Sequence, residues 1–110
     1  MNHVKVSVYI NEGDKWQHRP LYLELLNMLD ENGIAGGTVL RGIAGFTFKA
    51  PIVSTSLVDI GSKLPLVVYF IDTIEKVESV LPQLKEMARD RLITREPVEV
   101  ISGSHFGIEL

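Results

Sequence analysis

Residues 3 to 11, "HVKVSVYIN", alternate cleanly. Val4, Val6, Val8 and Ile10 fall on one side, and His3, Lys5, Ser7 and Tyr9 on the other. A period of two over this length predicts a half-buried strand. "EGDKWQHR" is polar around Gly13-Asp14 and predicts a turn or loop. Pro20 suits the first turn of a helix, where its missing N–H costs nothing. Leu21, Leu25, Met28 and Leu29 then recur at helical spacing, with Leu26 widening the stripe. Asn32-Gly33 ends that helix, the glycine supplying a left-handed cap. "GTVLRGI" predicts the second strand. Residues 46 to 63 carry Pro51, Gly61 and many hydroxyls and predict a long loop, within which "IVSTSLV" suits a short edge strand. "LPLVVYFID" is the predicted third strand. Asp72 or Thr73 caps the next helix, Asp72 and Glu75 having capping-box spacing. Ile74, Val77, Leu81, Leu84 and Met87 or Ala88 form its buried stripe, and Pro82 inside it predicts a kink. "EPVEVI" predicts the fourth strand. In the tail, residues 102 to 110, Phe106, Ile108 and Leu110 alternate as a short added strand would.

The order is strand, helix, strand, strand, helix, strand. Two such split units predict an α+β ferredoxin-like sandwich: a four-stranded antiparallel sheet with both helices on one face. At 110 residues the chain is expected to form a single domain over 1–110. The third strand complicates this picture. Leu66, Val68 and Phe70 face one way and Val67, Tyr69 and Ile71 the other, so both faces are apolar. Two helices cover one face only. The other needs a cover, either another copy of the chain or the long loop or tail folded back.

Composition narrows the classes. Cysteine is absent, which removes disulfide frameworks and thiolate zinc sites. The formal net charge is -3 and no basic cluster with interleaved aromatics occurs, so no nucleic-acid partner is expected. The longest apolar run, "LPLVVYFI", is far short of the roughly 20 residues that span a bilayer. The start of the chain has no signal-peptide pattern. The expectation is a cytoplasmic protein without membrane insertion.

Candidate chemistry is sparse. "GGTVLRGIAGF" lacks the Gly-Lys-Ser/Thr ending of a phosphate loop, and Gly42-Ile43-Ala44-Gly45 lacks the dinucleotide fingerprint. Its glycines either let the backbone bend or approach closely at a strand end, or form an anion-holding turn to which Arg41 adds a forked donor. "RDRLITRE" gathers Arg89, Arg91 and Arg95, which suit a helix C-terminus or a phosphate-facing edge. His3, His18 and His105 have no metal-ligand spacing, and Ser54, Ser56 and Asp59 define no triad without geometry. Trp16 is either a lid over the core or an exposed contact. No catalytic residue and no cofactor are expected.

The segments "YINEGDKWQHRPLYLELLNMLDENGIAGGTVLRGIAGF", "LPLVVYFIDTIEKVESVLPQL" and "RLITREPVEV" resemble the family called domain of unknown function 190, regarded as PII-like. The similarity runs from about Val4 to Ile101. It implies a ferredoxin-like protomer, a homotrimer with sheets facing the centre, and a signalling rather than catalytic relative. The wider PII superfamily binds adenine nucleotides between subunits and moves a long loop in response. Gly36-Gly37-Thr38-Val39 and Gly45-Phe46 match that superfamily's second-strand and loop-exit pattern. The resemblance therefore assigns Thr38 to the base and Gly45 and Phe46 to the cleft lining. The spacing between the two pairs is one residue longer here, and "RLITREPVE" replaces the superfamily's glycine-rich phosphate loop. Phosphate would then fall to Arg41, Arg91 and Arg95, with Gly42 in the turn. Loop 46–63 becomes the candidate contact for a protein target. The alternatives are a CutA-like trimer, a structural or partner-scaffolding trimer without nucleotide, and a small ferredoxin-like enzyme.

Overall fold

A computed structural model describes residues 2–47, 51–56 and 63–103. The elements in chain order are β1 (His3–Asn11), β2 (Lys15–Trp16), β3 (Arg19–Pro20), α1 (Leu21–Glu31), β4 (Gly37–Arg41), β5 (Ala44–Gly45), β6 (Val53–Ser54), β7 (Pro65–Thr73), α2 (Ile74–Met87) and β8 (Leu92–Val98). Four of the strands form one antiparallel sheet in the order β4-β7-β1-β8. This is the α+β ferredoxin-like architecture that the sequence pattern predicts.

Register explains why one face is packed. Val4, Val6, Val8 and Ile10 of β1 lie opposite Asp72, Phe70, Val68 and Leu66 of β7, and directly paired residues share a face. All eight are buried. Leu21, Leu25, Met28 and Leu29 of α1 and Val77, Val80, Leu84 and Met87 of α2 close over them. Val80 rather than Leu81 completes the stripe of α2, Leu81 being only partly buried. Pro82 lies inside α2.

The helix ends follow local chemistry. Gly33 has φ +80, a left-handed position that glycine occupies at little cost, and its N–H donates to the Asp30 carbonyl. At the start of α2, the Thr73 side chain accepts from the Lys76 N–H and is the cap. Asp72, the other capping candidate, points into the covered face instead. It is 1% exposed, and its carboxylate accepts from the backbone N–H groups of Ala35 and Thr73. That pair of bonds ties the exit of α1 to the exit of β7.

Three expectations are corrected. The fourth strand is Leu92–Val98, not residues 96 to 101. Asp90, at φ 65, turns the chain within three residues of α2, so pairing with β1 begins earlier. Pro97 falls inside this strand, which an edge position tolerates. The polar stretch after β1 is not plain loop either. It holds the small β2–β3 hairpin, in which Trp16 pairs with Arg19 and packs on the core. The second strand stops at Arg41, and Ala44–Gly45 leaves it to pair with Val53–Ser54. That last pairing meets the expectation of a short strand within the loop. The strand expected around Phe106, Ile108 and Leu110 lies outside the described residues.

Candidate ligand site and open sheet face

β4 is one edge of the sheet and β8 the other. Thr38, Arg41, Gly42, Gly45 and Phe46 therefore gather at one edge, and Arg91 and Arg95 at the opposite one. Three strand spacings separate the edges, about 14 Å at the usual 4.8 Å per step. Thr38 pairs with Tyr69 and shares its open face, whereas Arg41 pairs with Leu66 on the helix-covered side. The two candidate ligands of β4 thus sit on opposite faces of the same edge.

The glycines of the opening motif have a structural occupation. The Gly42 N–H donates to the Pro65 carbonyl at 2.7 Å. A Cβ at Gly42 would stand 2.9 Å from Pro65 Cγ, and one at Gly45 would stand 3.0 Å from the same atom. Both glycines let the chain leaving β4 lie directly over Pro65, a close approach that a side chain would crowd, at Gly42 above all. Phe46 follows with 69% of its surface exposed.

Each candidate arginine has a carboxylate neighbour within the protomer. Arg41 Nε lies 3.3 Å from Glu12, Arg91 Nε donates to Asp14 at 2.9 Å, and Arg95 donates to Glu78 at 2.8 Å. Glu12 and Asp14 both belong to the turn after β1, so one turn holds the arginines of both edges. Asp14 also accepts from the Asn11 N–H, which fixes the turn. The sequence gives no local hint of this arrangement, because Asp14 and Arg91 are 77 positions apart.

Arg91 and Arg95 also line a cavity of about 520 Å³ between the end of α2 and β8, with Lys85 on the helix side and Val6, Leu81 and Ile93 as apolar wall. Lys85 completes a cationic rim that sequence reading does not assign. Among the described residues no cluster of His, Asp or Glu is placed to hold a metal ion.

The face of the sheet opposite the helices carries a row of apolar side chains across all four strands. Leu40 pairs with Val67, Val67 with Tyr9, and Tyr9 with Leu92. Leu40 and Leu92 are more than half exposed. Beside this row, Lys5 Nζ stands 4.6 Å from the centre of the Tyr69 ring, a cation–π contact. Among the described residues no helix is long and apolar enough to cross a membrane.

Comparison with known proteins gives this architecture relatives. The chain is 37% identical over 96 residues to a UPF0166 protein of Aquifex aeolicus, covering 87% of this chain and 90% of that one. It is 28% identical over 85 residues to a UPF0166 protein of Methanocaldococcus jannaschii, covering 77% and 78%. Among solved structures it is similar to CPII of Thiomonas intermedia K12, a nitrogen regulatory PII-like protein bound to ADP, AMP and bicarbonate. The TM-score is 0.70 at 15% identity, over 96% of this chain and 94% of that one. It is also similar to the divalent ion tolerance protein CutA1 of Ehrlichia chaffeensis, with a TM-score of 0.64 at 11% identity, over 96% and 90%. At such identities the likeness is one of fold. The family model of domain of unknown function 190, described as an uncharacterized ACR, matches residues 3–100, and the chain belongs to that family.

Proposed function

We propose that this protein is a non-enzymatic, PII-like regulatory trimer of the cytoplasm that takes an anionic small molecule, an adenine nucleotide in the first instance, between its subunits. One observation carries the reading: the two halves of the candidate site lie on opposite edges of a sheet whose outer face is apolar. Within one chain Thr38 lies three strands from Arg95, and Arg41 and Arg91 are each turned to a carboxylate of the turn after β1 rather than to a shared cleft. A head-to-tail association, β4 edge to β8 edge, would bring the two halves together, and such contacts close into rings when the rotation permits. A ring closed with its sheets turned to the centre would also cover the Leu40–Val67–Tyr9–Leu92 row. Similarity of fold to a PII-like protein bound to ADP and AMP supports the choice of nucleotide. In this reading Gly42 and Gly45 serve backbone geometry first, Phe46 lines the cleft, and loop 46–63 responds to its filling and meets a protein target.

The carboxylates that already hold Arg41, Arg91 and Arg95 favour a second reading, a scaffolding trimer with no nucleotide. Two measurements separate them. Light scattering should give about three times the 12.3 kDa chain mass. Calorimetry with AMP, ADP and ATP should show sub-millimolar binding, weakened about tenfold or more by Arg41→Ala and by Arg95→Ala, as expected for charge-assisted contacts. A trimer that binds none of the three is the scaffold. A monomer removes both readings.

A further inference from the structure

A smaller concavity, about 330 Å³, lies between the β2–β3 hairpin and the C-terminal end of α2. Leu21 and Met87, both buried, give it an apolar base. Trp16 lines it, and Lys15, Arg89 and Arg91 surround it, with Glu86 as its acid. Its apolar base, its indole and its cations are all supplied by the β2–β3 hairpin, the start of α1 and the end of α2.

Two features set this place apart from the arginines discussed above. The first is charge. Arg41, Arg91 and Arg95 all have carboxylate partners, but among the described residues neither Lys15 nor Arg89 makes an ion pair. Asp14 engages only the Nε–H of Arg91, one of five guanidinium donors, and so orients the group without using it up. The second is backbone conformation. Gln17, His18 and Asp90 are the non-glycine residues with positive φ among those described, at 50, 69 and 65. Gln17 and His18 form the two-residue turn that immediately follows Trp16, a geometry that ordinarily recruits glycine or asparagine. Asp90 sits between Arg89 and Arg91. Both walls of one cavity are thus presented by strained turns, and strain of this kind persists where the surrounding structure imposes it and clusters at binding sites.

The geometry points to a second ligand site here, for a small planar ring carrying a single phosphate or similar anionic group. The indole and the apolar base suit the ring, and Lys15, Arg89 and the remaining donors of Arg91 suit the anion. The volume is at the small end of the roughly 300–1,000 Å³ range of ligand pockets, which favours one ring and one anionic group over a dinucleotide.

Trp16 is the single tryptophan, so its fluorescence reads this site and no other. Phenyl phosphate is the probe, with inorganic phosphate and phenol as its two halves. Phenyl phosphate should change Trp16 emission saturably and bind at least about tenfold more tightly than either half, since only it engages ring and cations together. Lys15→Ala with Arg89→Ala should weaken that binding about tenfold or more, whereas Lys76→Ala, at the opposite end of α2, should leave it unchanged. Lys15 and Arg89 are exposed, and an unaltered emission maximum in the free double variant will confirm its fold. Charge reversal, Arg89→Glu, should act in the same direction and more strongly. The assignment is overturned by an emission that phenyl phosphate leaves unchanged, by equal affinity for inorganic phosphate, or by full binding in the double variant. None of these outcomes bears on the trimer or on nucleotide binding at Arg41 and Arg95.

Discussion

β7 presents two chemistries from one strand. Its residues 66, 68, 70 and 72 are buried, while 65, 67, 69, 71 and 73 are only partly so, and the alternation is unbroken over nine residues. The side chains on the second set are nearly as apolar as those on the first. What differs is the cover: among the described residues two amphipathic helices lie over one face, whereas on the other Tyr9, Leu40 and Leu92 stay exposed while His3 and Ser7 of β1 are buried. Burial here depends on what the chain can supply as a cover, not on the hydrophobicity of the strand. A soluble two-layer sandwich would normally make its outer face polar. The excess of apolar residues on the open face is the feature that the proposed association of protomers would cover.

Substitutions on either side of β7 should break that symmetry in different ways. Phe70→Ala, on the covered face, removes the largest fully buried side chain among the described residues and leaves a cavity. It should cost about 3–5 kcal/mol of folding stability, read as a lower urea midpoint with little change in slope. Asp72→Ala, also on that face, orphans the Ala35 N–H and frees the exit of α1. A loss of about 1–3 kcal/mol is expected, and faster amide exchange at Ala35 would locate it there. Val67→Asp, one position along from Val68 but facing out, should cost the isolated protomer only about 1 kcal/mol, the loss of strand propensity and cross-strand contact at a half-buried position. Its effect should appear instead in light scattering, as a mass falling towards that of one chain. Equal unfolding penalties for Phe70→Ala and Val67→Asp would mean that the outer face is covered from within the protomer.

The fold was legible because its signals are local. The period of two in Val4 to Ile10, the stripe from Leu21 to Leu29, the cap at Gly33 and the threonine before Ile74 each act over a few residues. The misplaced fourth strand shows the limit. "EPVEVI" alternates as well as "LITREPV" does, and the choice between them is made by register against β1, which no local pattern encodes. The candidate site was harder for the same reason. That Thr38 and Arg41 lie on one edge and Arg91 and Arg95 on the other follows from strand order, which places β7 and β1 between them. The roles of Glu12 and Asp14 were invisible because a polar turn reads as solvent-facing until its distant arginines are in place. Asp72 looked like a cap for want of any sign that Ala35, 37 positions earlier, would be its partner. Trp16 had two open readings in the sequence, and the small hairpin that seats it on the core decides between them.

The position of β1 has a consequence for the birth of the molecule. β1 precedes both of its neighbours in the sheet, β7 and β8, which lie at residues 65–73 and 92–98. As the chain leaves the ribosome, Val4, Val6, Val8 and Ile10 emerge with no strand to pair with for some sixty residues, and the second neighbour arrives only when Val98 has been added. Sheets that wait on such distant pairings fold slowly and expose apolar strands meanwhile. A nascent chain interrupted before Leu92 would leave β1 as a bare edge with its apolar stripe still half dressed. One of the two interior strands of the finished sheet is therefore also a strand that waits longest for its partners.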